Sequence, residues 1–211
     1  MLIKASEVNN LTDARYFSAW GVEWIGFCLI PEHPAQVTAT ELLAIKEWLS
    51  GPKIVGEFPA LVDADTLHQA IEKLDLDAVQ IGQFTALEEV SHLGGRIGII
   101  REQVLEHLDE LVVLEEQWRP WASLVDCFLL DLEKNNISWD MIKADALALA
   151  YLKSLCHTFP IMLSLRFQAE DLSEIEEVLA PYGISLKGGE EETVGLKSFD
   201  DLDEIFELLN P

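Results

Sequence analysis

Residues Ala122–Asp140 read ASLVDCFLLDLEKNNISWD. Val125 to Leu130 is apolar apart from Asp126, short and dense enough for a strand covered on both faces, as parallel strands are. Asp131 stands where that strand stops. A carboxylate at the carboxyl end of a buried parallel strand either braces a loop or helix start, or sits at the mouth of an α/β active site. The flanking chain decides between those surroundings, because it repeats the same strand, loop and helix unit.

Working outward, Leu2–Ala5, Trp24–Leu29, Lys53–Phe58, Ala78–Ile81, Arg96–Ile100, Val125–Leu130, Pro160–Leu165 and Ile184–Lys187 read as strands. Between them the pattern predicts helices over Ala14–Trp20, Thr40–Leu49, Ala64–Leu74, Ala86–His92, Glu102–Trp121, Met141–Phe159, Leu172–Leu179 and, last, Phe199–Leu209. Such alternation demands parallel strands with crossover helices, and eight units in about 200 residues fit a closed α/β barrel, a single (β/α)8 TIM-barrel domain over residues 1–211. The residues to interrogate then lie at the carboxyl ends of the strands. The tryptophans Trp20, Trp48 and Trp139 read as helix-to-barrel packing.

With 38 acidic against 14 basic side chains the net charge is −24, which opposes nucleic acid and anionic membranes as partners. Any anionic ligand needs a local cluster of N–H groups, lysine or arginine working against that field. Cys28, Cys127 and Cys156 have no CxxC spacing and read as reduced core thiols, so neither a disulfide framework nor a metal site is expected. Nothing approaches the roughly 20 apolar residues of a membrane span. These features lead to the expectation of a cytoplasmic protein without cofactor, as monomer or homodimer.

The residues resemble one family, the phosphoribosylanthranilate isomerases of tryptophan biosynthesis, which are compact (β/α)8 barrels. Ile3-Lys4-Ala5-Ser6-Glu7-Val8-Asn9-Asn10-Leu11-Thr12-Asp13-Ala14 is similar to the family's opening signature. Ile25-Gly26-Phe27 with Pro31, Pro34 and Val37, then Val55-Gly56 with Phe58, then Leu76-Asp77 with Val79-Gln80-Ile81, follow in the family's order. Leu129-Leu130-Asp131 and the closing Gly189, Glu191, Gly195 and Lys197 complete it. The resemblance implies an Amadori rearrangement of an aminoaldose phosphate to an aminoketose, a small anionic sugar-phosphate ligand, Asp131 at the general-acid position and Ser6 at the position of the basic cysteine.

Several positions depart from that pattern. A thiol's reference pKa of about 8.5 gives some thiolate near neutrality, whereas an unactivated serine hydroxyl gives essentially none. The family's anthranilate-binding arginine corresponds to Ala35, and a family histidine to Gly82. Glu133-Lys134-Asn135-Asn136 stands where a glycine-rich loop is expected, without glycines for positive φ. Ser164-Leu165-Arg166 replaces a small-residue turn, which leaves Gly188-Gly189 as the phosphate nest, with Lys187 or Arg166 adding charge. Lys4 matches a family lysine and alternates onto the face of Ser6, as a site residue or half of an ion pair inside the barrel. Glu7, which replaces a family glycine, and Glu57 are either substitute bases or solvated or Lys4-paired carboxylates. Gln80 either contacts substrate or satisfies polar groups of the barrel. Three functions follow: an isomerase-like enzyme with impaired or altered activity, an inactive paralogue serving as a ligand-binding or assembly module, or a sugar-phosphate enzyme pairing Asp131 with Glu7 or Glu57.

Overall fold

The computed structural model describes residues 1–188, 191–193, 196–197 and 199–209. Eight strands close a parallel barrel in sequence order: β1 (Leu2–Ser6), β2 (Trp24–Cys28), β3 (Lys53–Phe58), β4 (Ala78–Ile81), β5 (Gly98–Val104), β6 (Cys127–Asp131), β7 (Ile161–Ser164) and β8 (Gly183–Lys187). Closure comes from β1 pairing with β8, Ser6 opposite Lys187. Around the barrel run α1 (Leu11–Ala19), α2 (Ala39–Lys46), α3 (Ala64–Leu74), α4 (Leu87–Val90), α5 (Leu111–Trp118), α6 (Trp139–Ala144), α7 (Ala146–Thr158), α8 (Leu172–Leu179) and α9 (Asp200–Leu209). A short antiparallel pair, Glu191–Thr193 with Leu196–Lys197, follows β8. No helix among the described residues is long and apolar enough to cross a membrane.

Two apolar layers hold this arrangement. The outer one lies between strands and helices, with Phe17, Leu42, Leu67, Trp118, Trp139 and Phe206 fully buried. The inner one fills the barrel floor with Trp24, Val55, Ala78, Ile100, Cys127, Leu129 and Met162. Alternation along the strands then stacks a polar layer above that floor: Lys4, Ser6, Glu57, Gln80, Glu102, Asp131, Ser164 and Ser185, all buried.

The differences from the sequence expectation that relocate site or packing residues lie in strand five and in two of the helices. Strand five runs on to Val104, and the expected helix over Glu102–Trp121 shrinks to a 3₁₀ turn at Leu108–Glu110 followed by α5. Glu102 is therefore a strand residue inside the barrel. The single helix expected over Met141–Phe159 is two, because the Asp145 carboxylate accepts from the N–H groups of Leu147 and Ala148 and starts a new helix. The second helix starts at Ala39 rather than Thr40, capped by Thr38 in a capping box with Glu41. It ends at Lys46, so Trp48 leaves the helical stripe and is 67 % exposed instead of packing on the barrel.

Candidate active site

At the carboxyl rim the polar layer forms a ring of alternating charges. On β1 and β3, the Lys4 ammonium is paired with Glu57, both side chains buried. Room for this pair comes from Gly26 on the strand between them: a Cβ there would lie 2.0 Å from Glu57 Oε1 and 2.8 Å from Lys4 Nζ. Lys4 also donates to Ser6 Oγ at 2.5 Å, and Ser6 Oγ lies 2.7 Å from Ser185 Oγ. An ammonium has no acceptor to offer. It leaves Ser6 with one lone pair occupied and, among the described residues, no carboxylate hydrogen-bonded to it. The other Glu57 oxygen accepts from the Glu7 N–H at 3.0 Å, so Glu57 is the Lys4-paired carboxylate rather than a free base.

Glu7 occupies left-handed backbone, φ 55°, where glycine carries no steric penalty and glutamate does. Its side chain reaches Lys187, Oε1 to Nζ 3.9 Å. Asp131 ends β6 with its Oδ1 accepting the Lys134 N–H at 2.9 Å, while its Oδ2 faces Lys134 Nζ at 3.5 Å and Lys187 Nζ at 3.9 Å. Lys134 reaches back to pair with Glu102, whose Oε2 accepts from Gln80 Nε2 at 3.0 Å. Burial alone would lower the Lys134 pKa, but the charge and hydrogen bond of Glu102, with Asp131 and Glu7 behind, carry it above the ordinary lysine value.

Beyond Asp131 the chain turns through Glu133–Asn135, and Asn136 takes φ 58°. An asparagine thus supplies the positive φ that the sequence reading reserved for glycine. The Glu133 carboxylate accepts from Ser164 Oγ at 3.1 Å and lies 4.0 Å from Lys187 Nζ. A carboxylate therefore stands over the ends of β7 and β8, where many barrels of this class hold a phosphate. Arg166 is exposed beyond the end of β7, its carbonyl accepting from Trp139 N–H at 2.8 Å. Gly188 is half-buried after β8; Gly189 lies outside the described residues.

Ser6, Lys4, Glu7, Gln80 and Asp131 are thus brought to one rim. Glu102 and Lys134 were not singled out as site residues by sequence, yet they join Gln80 to Asp131. Cys28, read as a core thiol, lies on the inner face of β2 beside this ring. Burial pushes its thiol up to about 11; the Ile30 N–H opposes this, and Glu57, Glu7 and Glu102 add to it. Near neutrality it is a thiol and does not replace the missing base. Gly82, at the family's histidine position, packs against the preceding loop, with a Cβ there only 2.1 Å from the Pro59 carbonyl oxygen. Gly82→Ala is expected to cost about 1–3 kcal/mol through overpacking against backbone; a urea unfolding midpoint unchanged from wild type would contradict this. Among the described residues no cluster of His, Cys, Asp or Glu is arranged to hold a metal ion.

No protein-family model matches the chain. It is 25 % identical, over an alignment of 217 positions spanning 100 % of this chain and 92 % of the relative, to N-(5'-phosphoribosyl)anthranilate isomerase of Gloeobacter violaceus. Among solved structures, phosphoribosyl anthranilate isomerase from Thermotoga maritima is similar at TM-score 0.78 and 18 % identity, covering 98 % of this chain and 97 % of that one. A phosphoribosyl anthranilate isomerase in complex with reduced 1-(o-carboxyphenylamino)-1-deoxyribulose 5-phosphate is similar at TM-score 0.74 and 20 % identity, over 98 % of this chain and 97 % of that one.

Proposed function

We propose, from the premise that the chain belongs to the phosphoribosylanthranilate isomerase family, that it is an isomerase-like protein whose proton-abstraction step is impaired. The rearrangement needs a proton given to the furanose ring oxygen as the ring opens, and a proton taken from C2 as the aminoketose forms. Asp131 is buried at the rim and supports the donor role. The observation that carries the proposal is the Ser6 hydroxyl, held between the Lys4 ammonium at 2.5 Å and Ser185 at 2.7 Å. An oxygen already accepting from an ammonium is a weaker proton acceptor, and no carboxylate hydrogen-bonds to it among the described residues.

The test is steady-state turnover of phosphoribosylanthranilate by the purified protein and by Asp131→Asn. Slow turnover is expected, with a further loss of about 10²–10⁴-fold in the variant, the range for removing a general acid. Asp131→Asn turning over at the wild-type rate would sink the assignment of Asp131.

One observation favours a second reading, a ligand-binding or assembly module with a lapsed isomerase site. The Glu133 carboxylate over β7 and β8 opposes a phosphate by charge and by occupation. This reading expects no turnover and no calorimetric binding of the reduced carboxyphenylamino-deoxyribulose phosphate. Binding of that compound at micromolar concentration would count against it.

A further inference from the structure

Among the described residues three lysines face the rim, and they are not equivalent. Lys4 is fully buried and paired with Glu57, and Lys134 is tied to Glu102. Lys187 has a side chain 26 % exposed, and its Nζ lies 3.9 Å from Glu7 Oε1, 3.9 Å from Asp131 Oδ2 and 4.0 Å from Glu133 Oε2. Among the described residues none of its neighbours accepts a hydrogen bond from it. It is an accessible amine encircled by three carboxylates, on a barrel rim where reacting groups gather. A second ammonium, Lys134, shares the same Asp131 oxygen. A reachable amine, carboxylates placed to take its protons and a neighbouring cation together give a setting in which a lysine can act as a nucleophile.

We propose that Lys187 forms an imine with the open-chain aldehyde of an aldose, a reaction independent of whether Ser6 can act as a base. One ammonium proton passes to the Glu7 or Glu133 carboxylate, and the freed lone pair attacks the carbonyl carbon. The C=O π bond breaks, and its oxygen takes that proton back from the carboxyl to become the carbinolamine hydroxyl. The nitrogen then gives a second proton to the Asp131 carboxylate, and its restored lone pair expels the hydroxyl, which takes the proton from Asp131 and leaves as water. Ammonium plus aldehyde gives iminium plus water, with no oxidant, reductant or net proton.

The experiment traps the iminium by borohydride in the presence of D-ribose 5-phosphate and maps the secondary amine by peptide mass spectrometry. The expected result is an adduct at Lys187 at least about tenfold above that at the surface lysines Lys73 and Lys153, lost in Lys187→Arg and in Lys187→Gln, and forming about 10²-fold more slowly in Asp131→Asn. Thermal melting of each variant separates loss of labelling from loss of fold. Labelling spread evenly over the lysines, or none in the wild-type protein, overturns the proposal. Because the readout is a covalent adduct rather than isomerase turnover, its failure is distinct from failure of the isomerase reading.

Discussion

Ser6→Cys is expected to raise turnover of phosphoribosylanthranilate by about 10²-fold or more, the usual worth of a positioned general base. The surroundings of Ser6 suit a thiolate better than a hydroxyl. A serine hydroxyl does not ionise in the working range, so the Lys4 ammonium at 2.5 Å only occupies its lone pair. The same ammonium beside a thiol favours the anion, and Ser185 adds a donor at the right place. Burial of the position opposes ionisation, since Ser6 is 4 % exposed. The contact charge acts at hydrogen-bond range and outweighs it, as it does for cysteines next to lysine. Ser6→Ala serves as the control and should show no gain. If Ser6→Cys folds, binds the reduced product analogue and still turns over no faster, the defect lies elsewhere, with Ala35 or Glu133 the first places to look.

The barrel is legible in the sequence because its strands are short apolar runs, separated by amphipathic helical stretches, with few competing signals. The rim is less so, and the reason is the polar layer itself. Glu102–Trp121 reads as one acidic, amphipathic helix, because three consecutive polar residues, Arg101, Glu102 and Gln103, violate the apolar pattern of a buried parallel strand. The run is tolerated here because Glu102 finds Lys134 and Gln80 inside the barrel, and Arg101 on the outer face donates to the carbonyls of Gln83 and Thr85 while stacking 3.5 Å over Trp121. Neither partnership has a local signature, since Glu102 and Lys134 are 32 positions apart. Alternation alone did place Lys4 with Ser6, and it left open whether Lys4 was a site residue or an ion pair. The structure pairs it with Glu57. The break at Asp145 was hidden by an unbroken run of good helix formers on either side, where only the capping preference of aspartate argued for a stop.

Glu57→Gln is expected to destabilise the fold by about 3–5 kcal/mol, the cost of leaving one member of a buried ion pair without its partner. Among the described residues Glu57 is the one carboxylate paired with Lys4, and neither side chain has more than 2 % of its surface exposed. The amide keeps the size of the carboxylate and can still accept from the Glu7 N–H, so the loss reports charge rather than volume. Gly26→Ala should injure the same pair from the neighbouring strand, by driving a methyl into the space the two side chains share. Replacing both partners with apolar residues, as Lys4→Met with Glu57→Leu, should recover most of the stability, because two desolvated charges are exchanged for packing in a site already floored by Val55 and Leu129. Urea unfolding of the two single variants and the double measures this directly. A loss below about 1 kcal/mol for Glu57→Gln is what a solvated surface pair would give, and it would mean that water reaches Lys4. The ring that holds Ser6 as a poor base would then be a loose one, and the serine hydroxyl would be free to turn toward a substrate.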